Sequence, residues 1–157
     1  KGEAMRRMLA LAAAGAAATV AVGLLSATGG ARAQAPMTIT VIERPTTDKV
    51  IDVGREGDSP GDLLTFHNRV YDETGSTQVG RDQGYCTRIY PHRGTWECTW
   101  TTFLPEGQIM VEGPFFDTAD TILAITGGTG AYTAARGEME IEALPDGNYR
   151  FVFHLVP

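Results

Sequence analysis

The chain has 157 residues, with 13 basic and 19 acidic side chains, three histidines and two cysteines. That length holds one domain, and the acidic balance removes the positive footprint that nucleic acid or an anionic membrane surface requires. Two cysteines and His67, His92 and His154 without paired ligand spacing make no metal set, so neither a metal nor another cofactor is expected.

In chain order, an export signal is expected over residues 1–33. Lys1 to Ala4 are a short upstream extension, Met5-Arg6-Arg7 is a basic start, and an uncharged Ala/Leu/Val/Gly run extends from Met8 to Leu25. Ala31-Arg32-Ala33 then gives a small-x-small cleavage site. The run approaches bilayer-spanning length, but its Ala and Gly content and the cleavage site favour removal over retention as an anchor. The expected product is a secreted domain, residues 34–157, with no membrane partner. Losing Lys1, Arg6, Arg7, Arg32 and Glu3 leaves nine basic against eighteen acidic side chains, a net of −9. An exported chain meets an oxidising compartment, so Cys86 and Cys98 are expected as a disulfide that pins the hairpin around Pro91–Gly94.

Beyond Gln34 two-residue alternation replaces any helical period, the mark of half-buried strands. Over 38–44, Ile39, Val41 and Glu43 share one face. Over 62–71, Leu64, Phe66, Asn68 and Val70 lie opposite Thr65, His67 and Arg69. Trp96, Cys98 and Trp100 share the face of the next segment, then Ile109, Val111, Gly113 and Phe115. Met139, Ile141 and Ala143 oppose Glu138, Glu140 and Glu142, and Tyr149, Phe151, Phe153 and Leu155 close the series. Turns are expected at Asp72–Gly75, Pro91–Gly94, Pro105–Gly107 and Pro145–Gly147. About eight strands with short connections suit an all-β, antiparallel up-and-down barrel, filled or holding one small ligand. The irregular stretch 45–61 is a candidate mouth or lid.

The informative residues interrupt the apolar faces. Parity sends Glu43 and Asn68 inward, and Arg88 with them if Cys86 points inward. A buried carboxylate is costly unless paired, hydrogen-bonded or protonated. Phe66, Trp96, Trp100 and Phe115 supply flat walls, and an apolar cavity with few convergent polar groups is the form of a small-molecule site. Bland readings stand beside these: Glu43 at the rim in solvent, Asn68 satisfying backbone at a bend, Arg88 paired to Glu43, the tryptophans as core. Gly127-Gly128-Thr129-Gly130 lacks the lysine and helix of a phosphate loop and reads as a glycine turn. Ser59, Asp62 and His67 make no hydrolase triad, since no nucleophile elbow is present and His67 faces outward.

Several motifs together resemble one family. Gly61-Asp62-Leu63-Leu64-Thr65-Phe66-His67-Asn68-Arg69-Val70-Tyr71 is similar to the allene oxide cyclase pattern GDLxPFxNKLY, and Gly84-Tyr85-Cys86 to its G-x-C. Val111-Glu112-Gly113-Pro114, Asp120-Thr121 and Thr126–Gly130 resemble VQGPY…EDT…TGGxG, while Ala135-Arg136-Gly137-Glu138 is closer to the dirigent proteins. The likeness spans roughly residues 41–143. It implies an eight-stranded, calycin- or lipocalin-like barrel with a ligand cavity, often trimeric, that guides cyclisation or coupling of a reactive hydrophobic molecule. It also implies that Glu43, matching the first-strand glutamate, promotes opening of an unsaturated epoxide by steadying developing positive charge. Asn68 and Cys86 match the cavity asparagine and cysteine. Phe115 and Pro45 stand where the family carries tyrosine and asparagine.

The expected function is a cofactor-independent cyclase or isomerase acting on a hydrophobic unsaturated molecule. Glu43 and Asn68 would be catalytic, and Arg88, Trp96, Trp100, Phe115 and Phe66 would bind substrate. The alternatives are a non-catalytic carrier of a lipophilic ligand, or a dirigent-like accessory that sets stereochemistry for another enzyme.

Overall fold

A computed structural model of the chain describes residues 36–156; the expected export signal lies outside them. Ten strands run in sequence: β1 (Met37–Arg44), β2 (Lys49–Ile51), β3 (Leu63–Phe66), β4 (Arg69–Tyr71), β5 (Gln78–Tyr90), β6 (Thr95–Leu104), β7 (Gly107–Phe116), β8 (Thr121–Gly130), β9 (Gly137–Ala143) and β10 (Tyr149–Leu155). Among the described residues the only helical element is a single 3-10 turn, Pro91–Arg93, and no helix is long and apolar enough to cross a membrane.

The sheet closes on itself. β1 pairs with β10 on one side and β4 on the other, and β5 to β10 follow one another in antiparallel order. β3 and β4 both pair with β5 and form two halves of one stave. Counting them once gives eight staves, the all-β antiparallel barrel that the alternation implies. Closure leaves no open edge in the ring. β2 lies outside it, paired only with β3.

Parity assigns the interior well. Val41, Val70, Trp96, Cys98, Trp100, Ile109, Val111, Met139, Ile141, Phe151 and Phe153 are all buried, and His67 is exposed. Cys86 and Cys98 face each other across β5 and β6 and are joined, with a Cα–Cα distance of 4.0 Å. The bond is the state expected in an oxidising compartment.

Three expectations change. Gly127–Gly130 is not a turn but the end of β8, paired with Gly107–Met110. The strand must pass close to its neighbours there: a Cβ on Gly128 would sit 2.4 Å from the Tyr132 carbonyl oxygen, so glycine marks close approach rather than reversal. The stretch 45–61 is not wholly irregular, because it contributes β2. The single segment 62–71 is interrupted at His67–Asn68, although Asn68 and Asp82 still exchange backbone hydrogen bonds of 3.1 and 3.0 Å across the gap.

The two ends of the barrel differ. At one, Ile109, Leu123, Met139 and Phe153 fill the interior and are almost entirely buried. At the other, around the end of β1 and the start of β10, the interior is open.

Candidate functional site

The open end holds a cavity of about 70 Å³. Leu64, Phe66, Trp100, Phe115, Ile141 and Phe151 make its apolar wall, with the Cys86–Cys98 disulfide between them. Gly84 opposite Trp100 is obligatory for this wall, since a Cβ there would lie 2.3 Å from that of Trp100. The aromatic rings meet edge to face: Phe66 with Trp100 at 6.0 Å, and Phe115 with Tyr149 at 5.8 Å. Trp100 keeps an indole N–H without a protein partner.

The polar lining consists of Glu43, Asp48 and Tyr149. Glu43, near the end of β1, is 4% exposed and lies directly across from Val70 on β4 and Tyr149 on β10. Asn68, two residues before Val70, reaches it diagonally: its Nδ2 donates to Glu43 Oε1 at 2.5 Å and to Asp48 Oδ1 at 2.6 Å. The other end of the amide is fully used. Asn68 Oδ1 accepts from the backbone N–H groups of Thr46 and Thr47 and from the Thr47 hydroxyl, at 2.9–3.0 Å. The strap after β1 is thereby clamped over the interior. Asn68 thus satisfies backbone and holds a carboxyl group at once.

Behind Asn68 lies Asp82, 0% exposed, whose Oδ1 accepts from the Asn68 backbone N–H at 3.2 Å. Its Oδ2 has no partner, nor has the hydroxyl of Thr102 opposite it on β6. Burial, then the nearby Asp82 charge, pushes the Glu43 carboxyl up to about 9, against the pull of the Asn68 hydrogen bond, with Asp48 adding to the rise. Burial likewise pushes Asp82 up to about 7. Burial beside a second acid thus favours the protonated form of Glu43, because a carboxylate would be stranded in a low-dielectric interior.

Of the residues expected at the site, Glu43, Asn68, Phe66, Trp100 and Phe115 are brought together. Arg88 and Trp96 are not. Arg88 is turned inward by parity and is 8% exposed, but it pairs with Asp58 (2.8 Å) and Asp117 (2.7 Å) rather than with Glu43. Its guanidinium lies 4.0 Å over the Trp96 ring, whose Nε1 also donates to Asp117. This group fastens the loop before β3 to the loop after β7, outside the Glu43 cavity. Ser59 and Asp62 serve the same loop, the Asp62 carboxylate accepting from the N–H groups of Val53 and Ser59.

Two polar lining residues were missed by sequence reasoning. Tyr149 shares the inward parity of Phe151, so the signal was present. Asp48 follows no strand period, and only the clamp on Asn68 places it. Among the described residues no cluster of His, Cys, Asp and Glu is arranged to hold a metal ion.

Comparison with known proteins agrees with this fold. The sequence profile of the family described as allene oxide cyclase matches residues 39–153. Among solved structures, a pyocyanin demethylase superposes with a TM-score of 0.64 at 29% identity, over 74% of this chain and 100% of that one. A pterocarpan synthase dirigent protein gives 0.63 at 16% identity, over 79% and 95%. An exo-specific intermolecular Diels-Alderase gives 0.61 at 17%, over 78% and 98%. The last two likenesses concern the fold alone.

Proposed function

This chain belongs to the allene oxide cyclase family, and from that premise we propose that its barrel binds a hydrophobic unsaturated molecule and steers its cyclisation or isomerisation. The observation that carries the reading is a buried carboxyl group, Glu43, opening into a mostly apolar cavity.

In its protonated form Glu43 is a hydrogen-bond donor and general acid. Its proton is offered to a substrate oxygen, carbonyl or epoxide, which draws electrons from the conjugated chain. Asn68 fixes the carboxyl by holding Oε1, so the proton-bearing oxygen is presented in one orientation. The family resemblance assigns the glutamate a charged role; burial here favours the acid form. The faces of Phe66, Trp100 and Phe115 shape the chain so that its reacting ends meet, and they favour positive charge developing along it. A mostly apolar lining with a few convergent polar groups is the form of a small-molecule site. Substrate binding falls to the cavity wall, not to Arg88 and Trp96.

The test is small-molecule mass spectrometry on extracts of the purified protein, followed by incubation of the identified compound with wild type and Glu43→Gln. Retained binding with turnover lower by about 100-fold or more supports the acid role. Unchanged binding without turnover in either protein means a carrier. Turnover that appears only when an oxidase is added means a dirigent-type accessory.

A further inference from the structure

We propose that Asp48 is a second catalytic residue, the base that works against Glu43 across one bound molecule, and that the reaction it serves is a proton shift along an unsaturated ketone. This rests on the reading of Glu43 as an acid and deepens it. Asp48 lines the same cavity as Glu43. One nitrogen, Asn68 Nδ2, donates to both carboxyl groups, at 2.5 and 2.6 Å, so the two are held side by side at a separation no greater than those two bonds laid end to end. Their surroundings differ sharply. Glu43 is buried while Asp48 is exposed at the mouth.

Two carboxyl groups held by one amide in one site, one buried and one open at the mouth, are placed to act as an acid and a base. Asp48 is also fixed in position, because the adjoining Thr46 and Thr47 are tied to Asn68 Oδ1. The other ionisable groups around the pair are Asp82 on β5, which does not line the cavity, and Tyr149 on β10, which does. Lys49 follows Asp48 in the chain.

The chemistry balances without a co-reactant. The Asp48 carboxylate takes a proton from the carbon between a carbonyl and a C=C bond. The C–H electron pair forms a new C=C bond, and the carbonyl oxygen takes the Glu43 proton, leaving a dienol and a Glu43 carboxylate. In the second half the O–H proton returns to Glu43, its electron pair restores C=O, and the far alkene carbon takes the proton held by Asp48. The product is the conjugated ketone, and both residues are reset. The class of substrate is a β,γ-unsaturated ketone with its oxygen at the deep end and its acidic C–H toward the mouth.

The test uses cyclohex-3-en-1-one with the whole protein, following conjugated-enone absorbance and deuterium uptake from D2O. Wild type is expected to exceed acetate buffer of equal carboxylate concentration. Asp48→Asn, which still accepts from Asn68, is expected to melt like wild type and to be slower by about 100-fold or more. Asp48→Glu is expected to recover part of the rate, and it keeps the test decisive if the asparagine variant misfolds. Asp48→Asn within about threefold of wild type, with Glu43→Gln inactive, overturns the role of Asp48 and leaves that of Glu43 standing. A wild type no faster than acetate overturns the proton-shift class. Ring closure is judged separately, on the co-purified compound with Glu43→Gln.

Discussion

The two ends of this barrel are built from the same staves and the same alternation, yet one is packed solid and the other is hollow. At the closed end Ile109, Leu123, Met139 and Phe153 meet with almost no exposure. At the open end the inward positions carry half-buried Leu64, Phe66, Phe115 and Tyr149, which stand around a cavity. A row of polar groups lies between them: Glu43 on β1, Asn68 before β4, Asp82 on β5 and Thr102 on β6. Such groups forfeit hydration when buried, and only part of that loss is recovered by the hydrogen bonds centred on Asn68. The contrast shows that closing a barrel does not fill it; side-chain size and the buried polar row decide where the hollow lies.

The largest effect expected on this contrast is a pH dependence set by the polar row. Glu43 is raised from 4.5 to about 9 and Asp82 from 3.8 to about 7. The folded state therefore binds more protons than the unfolded one across that range. By linkage, stability falls as pH rises from about 4 toward 9, and the change is on the order of several kcal/mol. Asp72, lowered to about 2 by hydrogen bonds from Thr74, Ser76 and Thr77, works in the opposite sense and removes stability as pH falls from about 4 to 2. Denaturant melts from pH 3 to 9 should show a maximum on the acid side, and Glu43→Gln with Asp82→Asn should flatten the alkaline decline. A maximum at pH 8 or above would contradict the buried-acid assignment.

Next come substitutions that set one end against the other. Phe153→Ala at the closed end should cost about 4 kcal/mol, from lost burial plus a residual void. Phe115→Ala, which enlarges a space already open, should cost about 1–2 kcal/mol. Equal losses in urea titrations would mean that the two ends are packed alike. Asn68→Ala should cost about 3 kcal/mol, since it leaves the Thr46 and Thr47 N–H groups without their acceptor and strips Glu43 of its donor. It should also free the strap, read as faster amide exchange at residues 45–48.

Reducing the Cys86–Cys98 bond, which closes a span of 12 residues, should cost about 2–3 kcal/mol by the chain-entropy estimate. The smallest effect is expected at Arg88. Asp58 and Asp117 are about half exposed, so solvent screens the pairs, and Arg88→Lys should cost about 1 kcal/mol. Its clearer readout is proteolysis in the 52–61 loop, which should speed up while amide exchange around Glu43 stays unchanged.

By itself, the sequence determined the class of fold and most of the interior. Period-two patterning is a local property, and it sorted Val41, Cys98, Ile109, Met139 and Phe153 inward without knowledge of any partner strand. It also placed Glu43 and Asn68 on apolar faces, which was enough to mark them as candidates. The tertiary structure alone decided which inward residues meet. Parity fixes the side of a strand but not the height along the barrel, so Arg88 and Trp96 read like Trp100 although they sit beyond the cavity with Asp58 and Asp117. Gly127–Gly130 has the composition of a turn, and only its pairing with Gly107–Met110 shows it to be strand. Asp48 lies in a stretch with no period. Its place beside Glu43 comes from a single amide 20 residues away, a contact between distant parts of the chain that no local pattern encodes.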